Sequence, residues 1–180
     1  IYQFRFDAES GELTPNEPPS VSPPEGTGPR HLEFHPTLDV AYVSNEQGNS
    51  ISAYRFDPSA GTLSLTQTLS TLPEGFGGEN TCAQIHIAPS GRHVYVSNRG
   101  HESIASFGIH PESGELESLG QDATEPLPRA FNLDPSGTYL YAGGQDSGKL
   151  AAYRILETGR LERIGTYDVG EQSMWVLFVD

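Results

Sequence analysis

The stretch Gly28-Pro-Arg-His-Leu-Glu-Phe-His-Pro36, continued by Ala41-Tyr-Val-Ser-Asn-Glu46, decides how the rest of the chain is read. Gly28 and Pro29 mark a turn, and residues 32–35 read as a strand. His35-Pro36 marks a second turn. Residues 40–44 read as a second strand, which ends in the polar pair Asn45-Glu46. The same phrase returns twice. Residues 83–91 lead into 93–99, and residues 128–137 lead into 139–145. A phrase that recurs in this way describes a repeat architecture, so it is settled before any single element.

The aligned aromatic residues measure the repeat. Tyr42, Tyr95 and Tyr141 are 53 and 46 residues apart. Tyr2, Tyr54, Phe107 and Tyr153 mark a further strand, at spacings of 52, 53 and 46. Each unit offers four strands: 32–35, 40–44, 50–56 and 62–69 in the first, 85–88, 93–97, 103–109 and 115–120 in the second, and 131–134, 139–142, 149–155 and 160–167 in the third. Apolar residues recur with a period near two, and no window carries a helical period. Gly, Pro, Asn, Asp and Ser fill the joints. Four strands in a unit of roughly 40–50 residues is the signature of β-propeller blades. A β-sandwich is the alternative, but it does not call for near-identical four-strand units. The expected fold is therefore all-β, a propeller of four-stranded antiparallel blades.

The expected divisions are 1–25 (the last two strands of a blade and a proline-rich loop), three blades at 26–75, 76–122 and 123–168, and 169–180 as the first strand of the next blade. Residues 16–29 are expected to form an extended loop, because proline lacks the ladder donor. First strands are expected innermost and fourth strands outermost.

The formal net charge is −14, and Lys149 is the only lysine among ten basic residues. No basic cluster exists, which argues against nucleic acid as a partner. An acidic, lysine-poor surface suits a high-salt cytoplasm, although an ordinary acidic protein is the reading kept. No apolar run reaches membrane-spanning length, so no membrane partner is expected. Cys82 is the only cysteine, which excludes an internal disulfide and points to a reducing, cytoplasmic compartment. A small buried thiol is its expected state.

The repeat also indicates a site. Equivalent positions of innermost strands face one shared channel. The residue four after each aligned tyrosine is Glu46, Arg99 or Gln145. Just before the first strands come Arg30, Ala83 and Arg129, each followed by His31, Gln84 or Ala130. Midway along come Glu33, His86 and Asn132. Any one of these has a structural alternative. The arginines could tie blades to carbonyls, Glu46 and Arg99 could be a satisfied ion pair, and His86 could bond to a turn. His35, His93, His101 and His110 sit in or near turns and are expected to be solvated. Arg30, Glu46 and Arg99 together are what an anionic substrate needs, because the planar guanidinium binds carboxylate and phosphate bidentately. No cluster of His and carboxylates has metal-ligand spacing, so neither metal nor other cofactor is expected.

The phrases "GPRHLEFHP", "AYVSNE", "IHIAPSGRHVYVSNR", "PRAFNLDPSG" and "MWVLFV" resemble the C-terminal half of the seven-bladed lactonase family. That family includes propeller-type 6-phosphogluconolactonases and fungal carboxy-muconate cyclases. The resemblance implies a site of one histidine, two arginines and one glutamate. Arg30 falls on the family's Gly-Pro-Arg motif and Glu46 on its Asn-Glu motif. Arg99 matches the second arginine, with Arg129 as runner-up, and the histidine would precede Ile1. The resemblance thus implies a lactonase acting on a small anionic lactone, 6-phosphogluconolactone first. Arg30, Arg99 and Glu46 would be catalytic, and His31, His86, Arg129 and Gln145 would bind substrate. A muconate-lactonising cyclase and a non-enzymatic binding or surface-layer propeller are the alternatives. Seven blades need about 340 residues at about 48 each, so the segment is expected to be half of a ring. The rest of the propeller or a second copy should cover the apolar edge at Met174–Val179, and the segment alone should be inactive.

Overall fold

In the computed structural model, which describes residues 1–179, fourteen strands carry the architecture. Strands β1 (Tyr2–Phe6) and β2 (Leu13–Ser20) pair antiparallel. Three four-stranded antiparallel sheets follow. The first contains β3 (Pro29–Phe34), β4 (Val40–Asn45), β5 (Ser50–Asp57) and β6 (Thr62–Ser70). The second contains β7 (Thr81–Ile87), β8 (His93–Arg99), β9 (Ser103–Ile109) and β10 (Leu116–Ala123). The third contains β11 (Ala130–Leu133), β12 (Tyr139–Gly144), β13 (Lys149–Ile155) and β14 (Leu161–Asp168). In each sheet the spatial order follows the chain order. Strand β7 touches both β3 and β11, so the first strands converge. The sheets are propeller blades.

One core fills each joint between sheets. Tyr42, Ile51 and Ala53 of the first blade meet Ile85, Val94, Val96 and Phe107 of the second. Tyr95 and Ile104 of the second meet Phe131, Leu140 and Tyr153 of the third. Ala41, Val43 and Tyr54 face the other way, toward Ile1 and Val21. Alternate residues of β4 thus feed two different cores. This is why its central residues are buried on both faces, as in any sheet covered on both sides. The fourth strands β6 and β14 are largely exposed and β10 is mostly half-buried, and charged residues appear in β10 and β14.

Hydrogen bonds repeat at the joints. Tyr42 Oη donates to Gly114 O at 2.7 Å, and Tyr95 Oη donates to Gly159 O at 3.0 Å. Gly114 and Gly159 have φ of 72° and 82°, a left-handed turn that glycine adopts without strain. Nearer the rim, Gln67 Oε1 accepts the Leu116 N–H at 2.8 Å and Gln67 Nε2 donates to Leu116 O at 2.9 Å.

Three expectations are corrected. Residues 16–29 are not wholly a loop, because β2 runs through Pro15, Pro18 and Pro19 to Ser20. Its register jumps from Tyr2–Ser20 to Phe4–Pro15, so residues 16–19 bulge out of the ladder. The prolines are tolerated because β2 has a strand on one side only. Second, residues 174–179 join no ladder. They lie beside β11, where Asn132 Nδ2 donates to Val176 O at 3.1 Å, and the Phe178 ring meets Tyr141 edge-on at 5.5 Å. A partner strand for them is not among the described residues. Third, His35 is buried rather than solvated. Its Nδ1 accepts the Leu38 N–H at 2.9 Å, and its Nε2 reaches Gly91 O of the next blade at 2.9 Å.

Candidate functional site

The antiparallel ladders bring the starts of first strands beside the ends of second strands. Pro29 pairs with Asn45, and Thr81 with Arg99. Arg30, Glu46 and Arg99 therefore share one end of the channel. The Glu46 carboxylate lies between two guanidiniums. Arg30 Nε is 3.7 Å from Glu46 Oε1, and Arg99 Nη2 donates to the same oxygen. Arg99 Nη2 also donates to Cys82 O at 2.9 Å, which anchors it to β7. Glu46 Oε2 has no partner among the described residues, and Arg99 Nε is buried without one. Two cations thus grip one oxygen of the carboxylate and leave the other open.

Arg30 Nη1 also contacts His31 Nε2 at 3.0 Å. Guanidinium only donates, so Nε2 must accept, and His31 is neutral with its proton on Nδ1. Burial lowers the His31 pKa, and the Arg30 charge lowers it further. Burial likewise lowers the pKa of Arg30; the Arg99 charge adds to this, and Glu46 opposes it.

Next to the cluster is a cavity of about 220 Å³ lined by Arg30, His31, Gln84, Arg129, Met174 and Trp175. Gln84 is buried, and its Oε1 accepts the Phe131 N–H at 3.0 Å. That bond fixes the amide and leaves Nε2 as a free donor. Larger hollows of about 510 and 570 Å³ open at the far ends of the strands, by Thr37–Val40 and by Arg92-His93. They contain none of the channel-end residues.

The structure divides the expected site residues. Arg30, His31 and Arg129 line the cavity, and Glu46 and Arg99 reach it through Arg30. His86 and Gln145 do not line it. His86 Nδ1 lies 2.5 Å from Glu33 Oε1, while Glu33 Oε2 accepts the Ile87 N–H at 2.7 Å. The His86 ring packs edge-on against Phe131 at 5.0 Å. His86 therefore ties adjacent first strands together. Gln145 closes a backbone joint, donating to Leu127 O and accepting from Gln172 N–H, both at 3.1 Å. Gln84, noted in the sequence only as a channel-facing position, and Trp175, which was not, both line the cavity. The available signal was their place one residue after the Arg30 and Arg129 positions in successive repeats. Cys82 is buried against the Thr71 hydroxyl, and burial pushes its pKa up to about 11, so the thiol stays protonated. Among the described residues no group of three His, Cys, Asp or Glu side chains is placed to hold a metal.

Comparison with known proteins identifies the family of the chain. The family model "Lactonase, 7-bladed beta-propeller" matches residues 1–178. The periplasmic gluconolactonase of Pseudomonas aeruginosa is similar at 28% identity and a TM-score of 0.87, over 94% of this chain and 48% of that one. A provisionally assigned 6-phosphogluconolactonase from Bacteroides uniformis is similar at 32% identity and a TM-score of 0.86, over 98% and 50%. A protein from Lactobacillus plantarum is similar at 28% identity and a TM-score of 0.89, over 98% and 51%. The chain spans about half the length of these solved proteins. By the family match and by its blades, the chain belongs to the seven-bladed β-propeller lactonases.

Proposed function

We propose that this chain supplies the arginine-rich side of a site that hydrolyses an anionic sugar lactone, with 6-phosphogluconolactone as the substrate. One observation carries the reading: two guanidiniums, Arg30 and Arg129, line one cavity beside a carboxylate with a free oxygen. The guanidiniums match a phosphate or the oxyanion that forms when water adds to a lactone carbonyl. Glu46 Oε2 is the atom free to hold that water and take its proton. The carbonyl carbon gains the hydroxyl, the ring C–O bond breaks, and the ring oxygen leaves with the proton returned from Glu46. Arg99 is committed to Glu46 and Cys82 O, so it positions the carboxylate rather than touching substrate.

The same arginine pair also suits a dicarboxylate, which keeps a muconate-type cyclase as the second reading. The intact protein should be assayed on 6-phosphogluconolactone, unphosphorylated gluconolactone and a carboxy-muconate. The account expects the phosphorylated lactone to have the highest kcat/KM. Turnover of the muconate alone would replace the lactonase reading, and turnover of none would remove both.

A further inference from the structure

The six side chains around the cavity come from only two places in the repeat. Counted from the joint before each first strand, Arg30, Ala83, Arg129 and Met174 share the first place. His31, Gln84, Ala130 and Trp175 share the second. Trp175 therefore stands where the earlier units present His31 and Gln84 to the channel. Its backbone is pinned on both sides. Gln172 N–H donates to Gln145 O at 3.1 Å, and Val176 O accepts from Asn132 at 3.1 Å. Its side chain lines the cavity together with Arg30, His31 and Gln84.

We propose that Trp175 is a specificity residue, whose indole face stacks on the ring of a cyclic sugar-acid lactone while Arg30 and Arg129 hold its anionic group. The proposal rests on the lactonase reading of the cavity. An aromatic face carries negative quadrupole density and attracts the weakly positive C–H face of a sugar ring. Gln84 Nε2 and His31 Nδ1–H are donors on the same wall and match hydroxyls or a ring oxygen. A phosphate alone satisfies the arginines and leaves the indole bare. A flat, open-chain dicarboxylate offers no C–H face. Stacking therefore selects the ring, and the arginines select the charge.

Tryptophan emission of the intact protein is titrated with glucose 6-phosphate, a cyclic sugar phosphate that water does not open, and with inorganic phosphate, each against a Trp175→Phe variant. The expected result is a saturable change with the cyclic sugar phosphate that the variant lacks, and none with phosphate. Trp175→Ala should raise KM for 6-phosphogluconolactone about tenfold, with Trp175→Phe between the two and kcat within about twofold. An unchanged KM in Trp175→Ala, with the lactone still hydrolysed, overturns the role of Trp175 and leaves the lactonase reading intact. An emission change without hydrolysis of any lactone supports stacking and removes the enzyme reading. Neither binding nor hydrolysis overturns both. Trp175→Phe keeps an aromatic side chain at the position, so the emission comparison still decides if Trp175→Ala fails to fold.

Discussion

Two arginine–carboxylate pairs cross joints of this propeller, one at the outer rim and one at the channel. At the outer rim Arg160 meets Asp122. Arg160 Nε donates to Asp122 Oδ2 at 3.0 Å and Nη2 to Oδ1 at 2.5 Å, while Nη1 and Nη2 also bond Leu119 O and Gln121 O. The Leu161 N–H completes the carboxylate at 3.0 Å. At the channel, Arg99 and Arg30 share one oxygen of Glu46; Oε2 is free and Arg99 Nε is unpaired among the described residues. The residue types are the same. A pair whose donors and acceptors are all engaged serves the fold, and a pair that leaves some open has capacity for a ligand. Residue identity does not separate the two roles, whereas the hydrogen-bond inventory does.

Substitutions can break that contrast in either direction. Arg99→Met should lower kcat by about a hundredfold with little change in KM, because the misplaced group acts on water rather than substrate. A rise in KM alone would put Arg99 in substrate binding. Asp122→Ala should do the reverse. It strands the hydrogen-bonded Arg160 and should cost about 2 kcal/mol in urea unfolding, with kcat unchanged. A loss of rate in the folded variant would erase the distinction between rim and channel. Tyr95→Phe should cost about 1 kcal/mol, since it leaves Gly159 O buried without its donor. An unchanged denaturation midpoint would show that the tyrosine tethers are incidental.

The smallest effect is that of pH. Burial and Arg30 lower the His31 pKa in the folded protein. The neutral ring favours folding above its unfolded value, near pH 6.5, and that contribution is lost as pH falls through the lower folded value. His93, lowered by burial and Arg92, adds to the same slope. Thermal melts at pH 5 to 8 should therefore show a shallower acid decline in His31→Gln than in the parent. An identical decline would mean that His31 does not titrate in this range.

The blades were legible because the tyrosines recur at 53 and 46 residues and the joints are full of turn formers. The channel end was legible because Arg30, Glu46 and Arg99 fall at repeating positions. The rest depended on partners distant in the chain. His35 looked like a turn residue, and its bond to Gly91 spans 56 positions. His86 and Glu33 both occupy channel positions, and His86 Nδ1 and the two Glu33 oxygens are spent on each other and on Ile87 N–H, while His86 Nε2 is buried without a partner among the described residues. Trp175 looked like one more apolar residue of a closing strand. Its place in the cavity emerges only where four units meet. The continuation of strand β2 past Pro15 was hidden by a rule for central strands, which an edge strand escapes.

The central claim is that the free oxygen of Glu46 is used on water. Glu46→Gln keeps the size and a hydrogen-bonding side chain, and it removes the proton acceptor. The single-turnover rate of lactone hydrolysis should be measured on the intact protein and on this variant, with Asp122→Asn as the control that keeps its rate. The account predicts a loss of about a hundredfold or more for Glu46→Gln at unchanged fold. Full retention of the rate would contradict it and leave the Arg30–Glu46–Arg99 cluster as a structural tie.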